Sequence, residues 1–124
     1  MQNISMLNMH EHTEQEVFDF VVNHLLTQGV KSFDTYGNCL YLSPEGARCA
    51  AGCLIPAEAY DKTIEGTAWI ALAQSGRVPS WQMILMERLQ DCHDGYEPEK
   101  WSERLREIAV ELGLQFNYNA SETR

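Results

Sequence analysis

The chain has 124 residues and a net charge of −9, from 18 acidic against 9 basic side chains, a length that suits one domain with a core of its own. Hydrophobic residues at 44% and aromatics at 10% exclude whole-chain disorder. The charge disfavours direct nucleic-acid binding and anionic membranes, both of which ask for Lys and Arg, and steers instead toward a basic protein surface.

Residues 1–12 are polar and Met-rich and are expected to form a flexible arm, in which His10-Glu11-His12 is solvated. Neither a basic start nor an apolar h-region marks a secretory leader, so the expected location is the cytoplasm. No apolar run approaches the roughly 18 residues of a membrane helix. Thr13-Glu14-Gln15-Glu16 matches a capping box, in which hydroxyl and carboxylate satisfy two orphan amides at a helix start. Val17, Phe18, Val21, Val22, Leu25 and Leu26 follow at helical spacing, and Gly29 stands where a left-handed C-cap belongs.

The stretch 30–55 reads differently. Cys39-Leu40-Tyr41-Leu42 has strand composition, Ser43-Pro44-Glu45-Gly46 supplies turn residues, and Ala47-Arg48-Cys49 is placed to return. This predicts a β-hairpin over about residues 39–49, packed on helices because a lone hairpin is marginal in water. Ala50 to Ile55 is small and apolar, and is expected to be buried. Pro56 opens a short helix to Tyr60, and Thr67 caps one of about two turns ending at Ser75 and Gly76. Ser80 caps Trp81 to His93, with Trp81, Ile84, Leu85, Met86 and Leu89 apolar. A last helix starts at Pro98 and carries Trp101, Leu105, Ile108, Ala109 and Leu112 on one face before Gly113. The expected architecture is mainly α: a single compact globular domain over 13–114, with four to five helices and the inserted hairpin, and a flexible tail at 115–124.

The run Cys39-Leu40-Tyr41, Pro44-x-Gly46, Cys49-Ala50-x-Gly52-Cys53-Leu54-Ile55-Pro56, Tyr60-Asp61, Glu65-Gly66 and Leu89-Gln90-x-x-His93-Asp94, closing with Trp101, Leu105, Ile108, Ala109 and Gly113-Leu114, resembles a family of short proteins predicted from tailed-phage and prophage genomes. The likeness covers roughly residues 15–114 and leaves Cys92 outside the pattern. It implies a habitat, the phage-infected bacterial cytoplasm, and not a mechanism. Small acidic phage proteins of this kind imply inhibition of a host enzyme or defence system.

Four cysteines, Cys39, Cys49, Cys53 and Cys92, are read as reduced thiols. Cys39, Cys49 and Cys53 with His93 would make a Cys₃His zinc set, but no Cys-x₂-Cys knuckle is present, so buried thiols are the better reading and no metal or cofactor is expected. Cys92 and His93 are adjacent on a helix and point apart, which argues against a nucleophile–base dyad. His93 in a last helical turn suits a C-terminal cap. Asp91, Asp94, Glu97 and Glu99 crowd a connection punctuated by Gly95 and Pro98, which reads as exposed. No phosphate loop or nucleophile elbow is legible, and the chain is read as no enzyme.

The candidate partner-binding residues are Glu99, Glu103, Glu107 and Glu111, which recur every four residues along the last helix as an acidic ridge. Lys100, Arg104 and Arg106 interleave with them, so a solvated face laced with ion pairs competes with that reading. The expected function is a small acidic phage-type accessory protein that binds a host or phage protein and covers its basic surface. The alternatives are a small zinc-stabilised adaptor and an enzyme of unfamiliar pattern.

Overall fold

The computed structural model describes residues 3–118. Among the described residues four α-helices carry the fold: α1 (Glu14–Gln28), α2 (Trp69–Gln74), α3 (Met83–Gly95) and α4 (Pro98–Leu112), with one 3₁₀ turn before α1 and three between α1 and α2. No helix among the described residues is long and apolar enough to cross a membrane.

The ends of α1 form as the local chemistry dictates. Thr13 Oγ1 accepts from the Glu16 amide at 3.1 Å, and Glu16 Oε1 accepts from the Thr13 amide at 2.9 Å. Gly29 closes the helix at φ 69°, in the left-handed region that a side chain resists. On α4, Pro98 occupies the first turn and Gly113 terminates it at φ 70°. Val17, Phe18, Val21 and Leu25 of α1 meet Leu85 and Leu89 of α3 and Trp101, Leu105 and Ile108 of α4 in one core, all fully buried.

α2 and α3 both begin later than their sequence signals indicate. Thr67 makes no cap; its carbonyl accepts from the Tyr41 hydroxyl at 2.6 Å, and α2 starts after Ala68. Ser80 likewise caps nothing. Trp81 packs half-buried against the core, Gln82 takes a left-handed conformation at φ 50°, and α3 starts at Met83. On that helix Ile84 is 62% exposed, while Cys92 and His93 are buried beside Leu85, Met86 and Leu89.

The expected hairpin over 39–49 does not form. Two isolated antiparallel bridges, Phe33 with Cys39 and Leu42 with Arg48, take its place, and the described residues contain no strand. The physical reason lies in where the backbone donors go. The amides of Tyr41 and Leu42 donate to the Glu65 carboxylate at 2.8 and 3.2 Å. The Arg48 amide donates to Gln28 Oε1 at 2.9 Å and the Ala51 amide to Gln90 Oε1 at 3.0 Å. Side chains thus satisfy groups that a ladder would otherwise claim. Ala50, Ala51, Gly52, Leu54 and Ile55 are buried as expected. At Gly52 a Cβ would overlap the Tyr41 carbonyl oxygen and lie 2.8 Å from its carbon, so that crossing requires glycine.

The ends of the chain are docked, not loose, over the residues described. Ile4 and Met9 are buried, and the Met6 amide donates to the Leu54 carbonyl at 2.6 Å. Gln15 and Gln115 exchange two 2.9 Å hydrogen bonds, and Phe116 and Tyr118 pack on the core. The remainder of the expected tail, 119–124, lies outside the described residues.

Candidate functional site, an acidic cleft

One face of α3, the first turn of α2 and irregular stretches around residues 34–41 and 65–68 line a cleft of about 970 Å³. α3 presents Ile84, Glu87, Asp91 and Asp94, spaced three or four apart and therefore on one side of the helix. From the opposite wall come Asp34, Glu65, Tyr41, Trp69 and Ile70. Five carboxylates line the space, and among the described residues no lysine or arginine does.

Each acid is held differently. Asp34 folds the chain into a tight turn, accepting from the Tyr36 and Asn38 amides at 2.8 and 2.9 Å. Those bonds, that of Asn38 first, hold its carboxyl below the ordinary value. Glu65 accepts from the Tyr41 and Leu42 amides and from the Tyr60 hydroxyl at 2.7 Å, so its role is structural. Burial, and then the Glu65 bond, pushes the Tyr60 phenol up to about 12. Glu87 is exposed, and Arg88 reaches it at 3.4 Å. Asp91 is exposed as well. Asp94 is exposed at its surface, and the desolvation it does meet opposes its charge, but hydrogen bonds from His93, Cys39 and Gln90 outweigh that and lower its pKa.

The apolar part of the lining centres on Trp69, which is 5% exposed and tilts against Tyr41 with ring centroids 6.3 Å apart. Trp69 Nε1 is buried and has no hydrogen-bond partner among the described residues, a condition that costs about 1–3 kcal/mol. By contrast, Trp101 Nε1 donates to the Tyr96 carbonyl at 2.9 Å. Ile70 and Ile84 line the cleft while remaining 50% and 62% exposed.

At the inner end, Cys39, His93 and Asp94 bring their ligating atoms within 4.8 Å of one another. Hydrogen-bond polarity decides what this cluster can do. His93 is fully buried, stacked on Trp101 at 5.5 Å with Phe33 edge-on at 5.8 Å. The Ser32 amide donates to His93 Nε2 at 3.0 Å, so Nε2 carries the lone pair. The ring proton therefore sits on Nδ1, which donates to Asp94 Oδ1 at 2.7 Å. Burial pulls the His93 pKa down and the bonds to Asp94 and Cys39 raise it further than that, yet a second proton would set Nε2–H against the Ser32 N–H.

The same polarity bears on metal and nucleophile chemistry. A cation at Nδ1, or a proton accepted there from Cys39, requires the ring proton to move to Nε2 and the Ser32 bond to break. Cys39 Sγ lies 4.0 Å from Nδ1 and accepts from Gln90 Nε2 at 3.1 Å. Its thiol pKa is raised, first by the hydrogen bond with Cys49 and then by burial, which is opposite to nucleophile activation. Of the other expected zinc ligands, Cys49 stays beside Cys39 and Cys53 turns to a backbone carbonyl. Cys53 Sγ donates to the Ala50 carbonyl at 3.1 Å, and Cys49 Sγ accepts from the Gly52 amide at 3.3 Å. Cys92, whose thiol burial pushes up to about 12, points toward the Trp101 carbonyl. These residues fit a hydrogen-bonded core network better than a metal centre. His93 serves as a tie between α3 and residue 32 instead of capping its own helix.

The ridge residues Glu99, Glu103, Glu107 and Glu111 are exposed on α4. Lys100 lies 4.0 Å from Glu103, and Arg104 lies 3.2 Å from Glu107 and 3.6 Å from Glu111, which Arg88 also approaches at 3.9 Å. Much of the ridge charge is thus matched locally. The cleft acids escape a linear reading because they come from three separate stretches, although Ile84, Glu87, Asp91 and Asp94 at helical spacing carry a signal of their own.

No family model, no curated protein and no solved structure matches the chain.

Proposed function

We propose that this chain is a small acidic accessory protein of phage type that acts in the bacterial host cytoplasm by binding a host or phage protein, and not by catalysis. Covering a basic surface, such as one that otherwise holds nucleic acid, would inhibit a host enzyme or defence system without any bond being made or broken. The observation that carries this reading is the cleft, where five carboxylates gather with exposed isoleucines and, among the described residues, no basic side chain. Charge of one sign in a concave wall focuses the field and steers a cationic partner. The Cys39–His93–Asp94 cluster, with its raised thiol and fully engaged imidazole, supports binding over acid–base work.

The test is affinity capture from phage-infected cells with three forms of the protein: wild type, the cleft variant Glu87→Lys/Asp91→Lys, and the ridge variant Glu99→Lys/Glu103→Lys. A partner should be retained at low ionic strength, released as salt screens the contact, and lost from the cleft variant more than from the ridge variant. A partner held equally by all three forms and insensitive to salt would end the reading.

A further inference from the structure

This inference rests on the binding reading above and names what the cleft takes. We propose that the cleft receives a short segment of the partner chain in which one arginine or lysine is flanked by apolar side chains, and that seating this segment turns the Trp69 indole, whose N–H is covered and unpartnered in the free protein, onto a main-chain carbonyl of the segment.

Three independent features argue for this occupant. The first is charge. Asp91 and Asp94 lie in the last turns of α3, where the helix carbonyls add partial negative charge to theirs. With Asp34 also in the lining and no Lys or Arg there among the described residues, these acids suit a single cationic group.

The second feature is apolar surface on the same walls. Ile70 and Ile84 are half or more exposed, and Tyr41 and Trp69 line the same cleft. A bare cation leaves that surface in water, whereas aliphatic or aromatic neighbours of a basic residue cover it.

The third is the Trp69 indole N–H, which is buried without a partner in a protein that satisfies its other fully buried indole, that of Trp101. A donor of this kind calls for a neutral acceptor. An extended peptide supplies a carbonyl at each residue, while a polyamine or a metal ion supplies none. Charge, apolar surface and donor together thus specify a peptide and not a small cation.

The test uses the full chain, isotopically labelled, and follows the Trp69 indole ¹H–¹⁵N resonance, assigned with Trp69→Phe. The probe is a pool of capped octapeptides with one fixed arginine flanked by Leu, Ile, Phe and Met; a matched pool carries glutamine in place of arginine, and another carries serine at the flanking sites. The arginine–apolar pool should shift the Trp69 indole proton downfield and saturably. Both matched pools should bind at least about fivefold more weakly, as expected when one ion pair or the apolar contact is lost. Ile84→Glu and Asp91→Lys, both at exposed positions, should weaken the arginine–apolar pool by a similar factor, and Glu103→Lys should leave it unchanged.

No shift at Trp69, or equal binding of the glutamine pool, overturns the proposal. So does spermidine or Mg²⁺ alone if either perturbs Asp91 and Asp94 as strongly as the peptides do. The two levels of inference separate in their failures. A partner lost from the ridge variant while the peptide pool leaves Trp69 untouched keeps the binding reading and removes the cleft segment. A partner indifferent to all charge reversals removes the reading itself.

Discussion

In the bundle of α1, α3 and α4 the groups that meet are apolar, with Phe18, Leu89, Trp101 and Leu105 fully buried against one another. Between residues 32 and 67 the chain has no α-helix or strand, and polar side chains from inside and outside the segment hold it. Gln28 brackets Arg48 through both its amide and its carbonyl, Gln90 ties Ala51, and Glu65 gathers three donors. The two regions should therefore fail differently. Bundle packing is non-directional and loses stability in proportion to volume removed. In the irregular region, removing one carboxylate or amide strands several backbone groups at once. That region also forms one wall of the cleft, so the geometry of that wall is set by hydrogen bonds.

Substitutions on each side sharpen the contrast. Trp101→Ala should have the largest effect, about 4 kcal/mol by urea denaturation, because a fully buried indole leaves a cavity at the centre of the bundle. Glu65→Ala should cost about 3 kcal/mol although Glu65 is only half-buried, since the Tyr41 and Leu42 amides and the Tyr60 hydroxyl lose their acceptor together. It should also raise amide exchange at residues 41 and 42 more than in α4. A loss no greater than that of a simple helix cap would break the comparison. Thr13→Ala supplies that reference, at about 1 kcal/mol for one capping bond.

The smallest expected effect belongs to His24, which joins the two regions by donating from Nε2 to the Arg48 carbonyl at 2.9 Å. Burial holds its pKa below the ordinary histidine value of 6.5. A folded-state pKa below the unfolded one means that the unfolded chain takes up the proton first. The contribution is therefore full above about pH 6.5 and is lost as the pH falls through the folded pKa. His24→Gln retains an amide donor and removes the titration. Its melting midpoint should fall less than that of the wild type between about pH 7.5 and pH 5, and identical slopes would show that His24 does not titrate differently on folding.

The features legible in the chain alone were those whose partners lie within a few residues. The Thr13–Glu16 box, the glycines after α1 and α4, and the apolar stripe from Trp101 to Leu112 all formed as expected. The ridge glutamates lie on one helix as expected, but the approach of Arg88 to Glu111 depends on a neighbouring helix. Thr67 and Ser80 illustrate the opposite outcome: each has a capping side chain, and tertiary contacts moved the helix start past it.

By itself, then, the sequence determined a mainly helical, strongly acidic chain, because capping and amphipathic periodicity act over one or two turns. Tertiary structure alone decided that residues 39–49 make no hairpin, that His93 ties α3 to Ser32, and that carboxylates from 34, 65 and 87–94 face one another across a cleft. The physical reason is distance along the chain. Glu65 claims amides 23 and 24 residues away and His93 an amide 61 residues away, and no local pattern encodes which distant side chain will reach a backbone donor first.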